Sequence, residues 1–185
     1  MEDKRVKGTL LLDYVRMIRS NKDKDWGKYL TPEDLEIING RILPSLWYPY
    51  ETFRRAGMAS FYVLGGGNTD TVRAWGKISM DILTKGVYKS IVADPDPMIG
   101  LERFVIMRRQ FFNFAAMEFE KIGEKHVKVR LAGAPDDPST DAYVAQLTGG
   151  LERLVELTGG KNPRITYINR PSSGLANTEF DIFWD

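Results

Sequence analysis

Along the first hundred or so residues apolar positions recur at intervals of three and four, and after Asn113 they recur every second residue. This change of period divides the chain into a helical part, residues 1–112, and a sheet-forming part, residues 113–185. In the first part Leu11, Tyr14, Val15 and Ile18 share one face of a helix predicted over Thr9–Ser20. Thr31, Pro32 and Asp34 make a start signal: a capping hydroxyl, a proline suited to the first helical position and an acid able to cap in return. The helix they open carries Leu35, Ile38 and Ile42 and ends before Pro44. A third helix opens at Pro49, turns Tyr50, Phe53, Gly57, Phe61 and Leu64 inward, and stops at Gly65-Gly66-Gly67. Asn68 or Asp70 caps a fourth, whose expected inner stripe is Val72, Trp75, Ser79 and Ile82. The DPDP segment at Asp94–Pro97 starts a fifth through LERFVIMRRQFF, apolar on most of its circumference and therefore central.

In the second part Ala115, Met117 and Phe119 alternate with Ala116, Glu118 and Glu120. After a turn at IGEK, Val127, Val129 and Leu131 alternate with Lys128 and Arg130, which reads as a hairpin. Ser139–Thr158 reads as an amphipathic helix, with Tyr143, Val144, Leu147, Leu151, Leu154 and Val155 opposite Gln146, Glu152, Arg153 and Glu156. Two strands follow, around Arg164–Asn169 and Glu179–Trp184, joined by PSSGLAN, with Phe180, Ile182 and Trp184 on one face. The order is ββαββ. The expected class is α+β: an N-terminal helical bundle packed on a four-stranded antiparallel sheet, one domain over residues 1–185.

The stretch LTGGLERLVELTGGK, Leu147–Lys161, repeats Thr-Gly-Gly. Gly159 falls just past the last periodic residue and reads as a helix C-terminal cap. Gly149 and Gly150 lie inside the helix, where each costs about 1 kcal/mol relative to alanine, a cost that makes sense if the helix approaches the sheet closely there. A phosphate-binding loop would need glycine and Ser or Thr where the chain has Val155 and Asn162. The GGGNTD segment lacks the third glycine of a dinucleotide fingerprint and follows a helix instead of a strand.

Charge adds little: 26 basic against 25 acidic residues give no general field for nucleic acid. The chain has no cysteine, so disulfides and thiolate metal sites are excluded. No run approaches the roughly 18 apolar residues of a membrane span, and MEDKRVKG is not followed by an export-type apolar stretch, so a cytoplasmic protein is expected. His126 is the only histidine, and its strand phase places it with Lys128 and Arg130 on the outer face, away from a role as general base or haem ligand. No spacing of His and carboxylates suits a metal, and no nucleophile, base and oxyanion arrangement can be assembled, so no enzyme is expected. Arg108 and Arg109 adjoin an aromatic pair in an apolar helix; either one faces a cavity and binds an anion or an internal carboxylate, or both lie on a wet edge. Trp47, Tyr48, Tyr50 and Trp75 either line a pocket or form plain core.

The element order, with LPSLWYPYE, LGGG, KGVYKSIVADPDP, GGLERLVELTGGKN and the ending GLANTEFDIFW, resembles a family of small bacterial proteins of unassigned function, including paralogous sets of myxobacteria. That family is similar to the superfamily of haem nitric-oxide-binding domains, vinyl-reductase-type small-ligand domains and the Bet3-like component of vesicle-tethering complexes. The resemblance covers nearly the whole chain. It implies a sensory module holding a small, largely apolar ligand between helices and sheet. Two departures bear on cofactors. The vinyl-reductase-type cysteines would fall at Arg170 and Thr178, and the haem domains' helical histidine and Tyr-x-Ser-x-Arg run have no counterpart, so neither metal nor haem is expected and no cofactor is carried over. The expected ligand lining is Phe53, Phe61, Trp75, Phe104 and Arg108, the arginine fixing any anionic end. The alternative is a ligand-free interaction module, acting as a homodimer or on a signalling protein partner.

Overall fold

The computed structural model describes residues 3–114, 117–135, 138–172 and 175–185. The chain begins with β1 (Arg5–Lys7) and α1 (Gly8–Ser20), followed by α2 (Pro32–Asn39), β2 (Trp47–Pro49), α3 (Tyr50–Val63), α4 (Thr69–Lys85) and α5 (Pro97–Arg108). It continues through β3 (Met117–Gly123), β4 (His126–Pro135), α6 (Pro138–Leu157), β5 (Arg164–Ser172) and β6 (Leu175–Phe183). The class is α+β, with a helical N-terminal part and a C-terminal ββαββ part. Ala115 and Ala116, placed in the hairpin by their alternation, lie outside the described residues.

Local chemistry sets the helix starts. Thr31 accepts from the Asp34 amide at 3.2 Å, and the Asp34 carboxylate accepts from the Thr31 amide at 3.0 Å, a reciprocal capping box with Pro32 behind it. Asn68 caps α4 and Asp96 caps α5 through the same type of bond. At the end of α6 the Gly160 amide donates to Val155 and the Gly159 amide to Glu156, with Gly159 at φ +92°, so this glycine closes the helix as expected.

The four strands run β3-β4-β6-β5, all antiparallel. In register, Val127 pairs with Ile182 and Val129 with Phe180, and these four side chains face the helices fully buried. The other face is a charge lattice: Lys128 and Arg130 both reach Glu179, at 2.8 and 3.0 Å, and His126 meets Asp181 at 2.8 Å while stacking on Phe183. The outward phase of His126 is therefore as expected, although salt bridges take the place of open solvent.

The structure departs from expectation at four points. A small sheet of β1 and β2 was not foreseen; with three residues each, neither strand has room to show alternation. The tight approach of α6 is to α4, not to the sheet: a Cβ on Gly149 would overlap the Arg73 carbonyl, and one on Gly76 would overlap the Gln146 carbonyl. Gly150 has ordinary room, with the nearest atoms 3.5 Å from such a Cβ. The buried stripe of α4 is accordingly Val72, Gly76, Met80 and Thr84, while Ile82 is exposed. Glu152, assigned to a polar outer face, is buried against Arg73 and Lys77 of α4, since that face is where the two helices meet.

Candidate functional site

Between α1, α4, α5 and α6 lies a cavity of about 630 Å³. Its size falls within the roughly 300–1,000 Å³ usual for small-molecule sites. From α1 come Leu10, Leu12, Asp13 and Tyr14; from α4, Ser79, Met80 and Leu83; from α5, Phe104, Met107 and Arg108; from α6, Tyr143, Gln146 and Leu147. Phe53 of α3 and Tyr88, between α4 and α5, complete much of the wall. The rim carries Ile82 and Val87, 54% and 90% exposed, so the cavity reaches solvent past apolar side chains.

The helices can surround a space here because α4 is fastened to α6 along their glycine seam, while α1 is packed against α3 through Tyr14 and Phe53, whose rings lie 5.3 Å apart. Tyr14 also donates to Gln146, tying α1 to α6 at the cavity wall. Burial holds the Tyr14 phenol well above its ordinary pKa, so it stays a neutral donor. Asp13 has its carboxyl pKa raised, chiefly by burial, against the lowering effects of a Ser79 hydrogen bond and of Arg16, 3.4 Å away.

Arg108 is the cavity's buried cation, only 7% exposed. It donates to the Tyr143 hydroxyl, and its guanidinium lies 4.8 Å from the Phe112 ring centroid and 5.4 Å from that of Tyr143. Arg109, the other candidate, is exposed.

Of the expected lining, Phe53, Phe104 and Arg108 meet at this cavity. Phe61 and Trp75 do not: they pack with Val72 and Ala142 in a separate cluster, Trp75 also bordering a void of about 20 Å³. The two residues belong to the far side of α3 and α4, which the helical period alone could not distinguish from the near side. Trp47 is half-exposed beneath the Lys7 ammonium, Tyr48 accepts from the Leu43 amide, and Tyr50 sits among Phe53, Phe112 and Phe114; none of the three lines the large cavity. Leu10, Leu12, Met80, Leu83 and Met107 were missed. Their signal is apolar character out of phase with the main stripe, as in the Leu10-Leu11-Leu12 run, which a helix shows when it has core on one side and a cavity on the other.

No family model matches the chain, and no curated protein matches it. Solved structures do. A mutant of the T. tengcongensis H-NOX domain superposes with a TM-score of 0.67 at 12% identity, covering 97% of each chain. An oxygen-binding H-NOX domain related to soluble guanylate cyclases gives 0.66 at 12% identity over 97% of this chain and 95% of that one. A protein described in terms of haem redox potential and porphyrin distortion gives 0.64 at 13% identity, over 96% and 99%. The chain thus shares the fold of these H-NOX domains.

These neighbours overturn the expectation of no haem. That expectation rested on the absent cysteines, helical histidine and Tyr-x-Ser-x-Arg run and left other iron ligands aside. Tyrosine and methionine also ligate haem iron, and Tyr88, Tyr143, Met80 and Met107 all line the cavity, whereas His126 is on the outer face of the sheet. Among the described residues no three or more His, Cys or carboxylate groups cluster as a metal site, and no helix is long and apolar enough to cross a membrane.

Proposed function

We propose that this protein is a non-enzymatic sensory or regulatory module that binds a small, largely apolar ligand in the cavity between α1, α4, α5 and α6. The cavity carries the reading: it is roomy, walled by aliphatic and aromatic side chains, and oriented by a few polar groups, the usual composition of a small-molecule site. The H-NOX neighbours support it, being domains whose descriptions speak of haem and oxygen. Haem belongs to the ligand class in question. The side chains at hand to hold its iron are tyrosines and methionines, and the bound group would supply a site for a diatomic gas.

The test is a titration with an environment-sensitive apolar dye, with haem run in parallel and followed by its Soret band. Wild-type protein is expected to bind one dye per chain saturably. Leu83→Trp, which fills the cavity from α4, is expected to keep the fold and lose at least tenfold in affinity. Absence of saturable binding by either probe, or equal binding by the two proteins, rejects the reading and favours a ligand-free interaction module.

A further inference from the structure

Of the charged side chains on the cavity wall, three are basic, Lys7, Arg16 and Arg108, and one is acidic, Asp13. Arg16 is exposed and Lys7 half-buried, so water shares in solvating both. Arg16 faces Asp13 at 3.4 Å, and Lys7 donates to the Ser45 carbonyl at 2.7 Å with its ammonium 4.0 Å from the Trp47 ring centroid. Arg108 differs: it is the most buried of the three, and among the described residues no carboxylate lies within 4.0 Å of it. A guanidinium has five N–H donors, and Tyr143 accepts from it through one hydroxyl oxygen. The flanking rings of Phe112 and Tyr143 offer cation–π attraction, which is weaker than a paired carboxylate. A buried charge left in this state is costly, and structures retain one where a counterion is supplied.

We infer that the ligand supplies it: the occupant is an amphiphile with an apolar body and a carboxylate end seated against Arg108 and Tyr143. A carboxylate is flat and matches the guanidinium fork with two parallel hydrogen bonds. A carboxylate seated there neutralises Arg108, which has no carboxylate partner among the described residues. The aliphatic side chains of Leu10, Leu12, Met80 and Leu83 then enclose the body. This inference rests on the proposal that the cavity takes a ligand, and the experiment separates the two.

Calorimetric titrations at pH 8 use three probes of one chain length: dodecanoate, dodecanol and dodecylamine. For wild-type protein the expected order is dodecanoate tightest, by roughly 10- to 100-fold over dodecanol as hydrogen bonds to charged groups allow, with the amine weakest. In Arg108→Gln the advantage of dodecanoate over dodecanol disappears, while Tyr143→Phe, which keeps the guanidinium, retains it. If Arg108→Gln fails to fold, the order of the three probes on wild-type protein decides. Equal affinity for dodecanoate and dodecanol, or preference for the amine, overturns the inference and leaves the apolar-ligand reading intact. Binding of none of the three removes both.

Discussion

Asp34 shows how a single residue couples the helical part to pH. Its side chain is 1% exposed, yet Arg55 grips both carboxylate oxygens, at 2.6 and 2.9 Å, and the Thr31 amide donates to one of them. Burial alone would raise the pKa; the Arg55 bonds, the Thr31 amide and Thr52 outweigh it and hold the carboxyl down at about 2 against an ordinary 3.8. A group depressed in the folded state stabilises the fold above its unfolded pKa and loses that contribution as pH falls through the folded value. Asp34 is therefore expected to contribute at most about 2 kcal/mol above pH 4, lost between about pH 4 and pH 2, with partial screening because Arg55 reaches solvent. Thermal melts of wild type and Asp34→Asn across that window check this: the gap between them narrows with acid, and a gap independent of pH refutes the assignment. The box at Thr31 and Asp34 was legible in the sequence because its partners are three residues apart. Arg55 was not, since the ion pair spans 21 residues and depends on how α3 meets α2.

At the scale of elements, the seam between α4 and α6 is held by close backbone contact and flanked by charge. Gly76 and Gly149 each face the other helix's carbonyls, while Arg73 and Lys77 reach the buried Glu152, and Arg153 reaches Asp81 at 2.9 Å. Alanine at Gly76 or Gly149 is expected to force the helices apart and destabilise by roughly 2 kcal/mol or more. Alanine at Gly150, one residue on, is expected to be neutral or stabilising by up to about 1 kcal/mol, because the space is ordinary and the helical penalty of glycine is removed. Denaturant unfolding of the three variants settles the matter; equal losses at Gly149 and Gly150 would contradict the seam. The helices themselves were legible from periodicity and caps. What the glycines approach was not, because a glycine in a helix records that something is close without recording what.

For the whole molecule, the change of period at Asn113 was enough to expect helices followed by a ββαββ sheet, since each half is patterned locally. The cavity was only partly legible. Phe53, Phe104 and Arg108 border it, but Phe61 and Trp75 turn to another cluster, and the leucines and methionines of the wall looked like surplus core. A cavity arises where packed helices diverge, and divergence is set by contacts distant in sequence, such as Tyr14 with Gln146. The central claim, that this space is a binding site and not loose packing, is tested most directly by native mass spectrometry of the protein incubated with dodecanoate. The account predicts one adduct per chain, displaced by an apolar dye and absent from Leu83→Trp. An unliganded chain at every concentration, or the same adducts on wild type and Leu83→Trp, would contradict it.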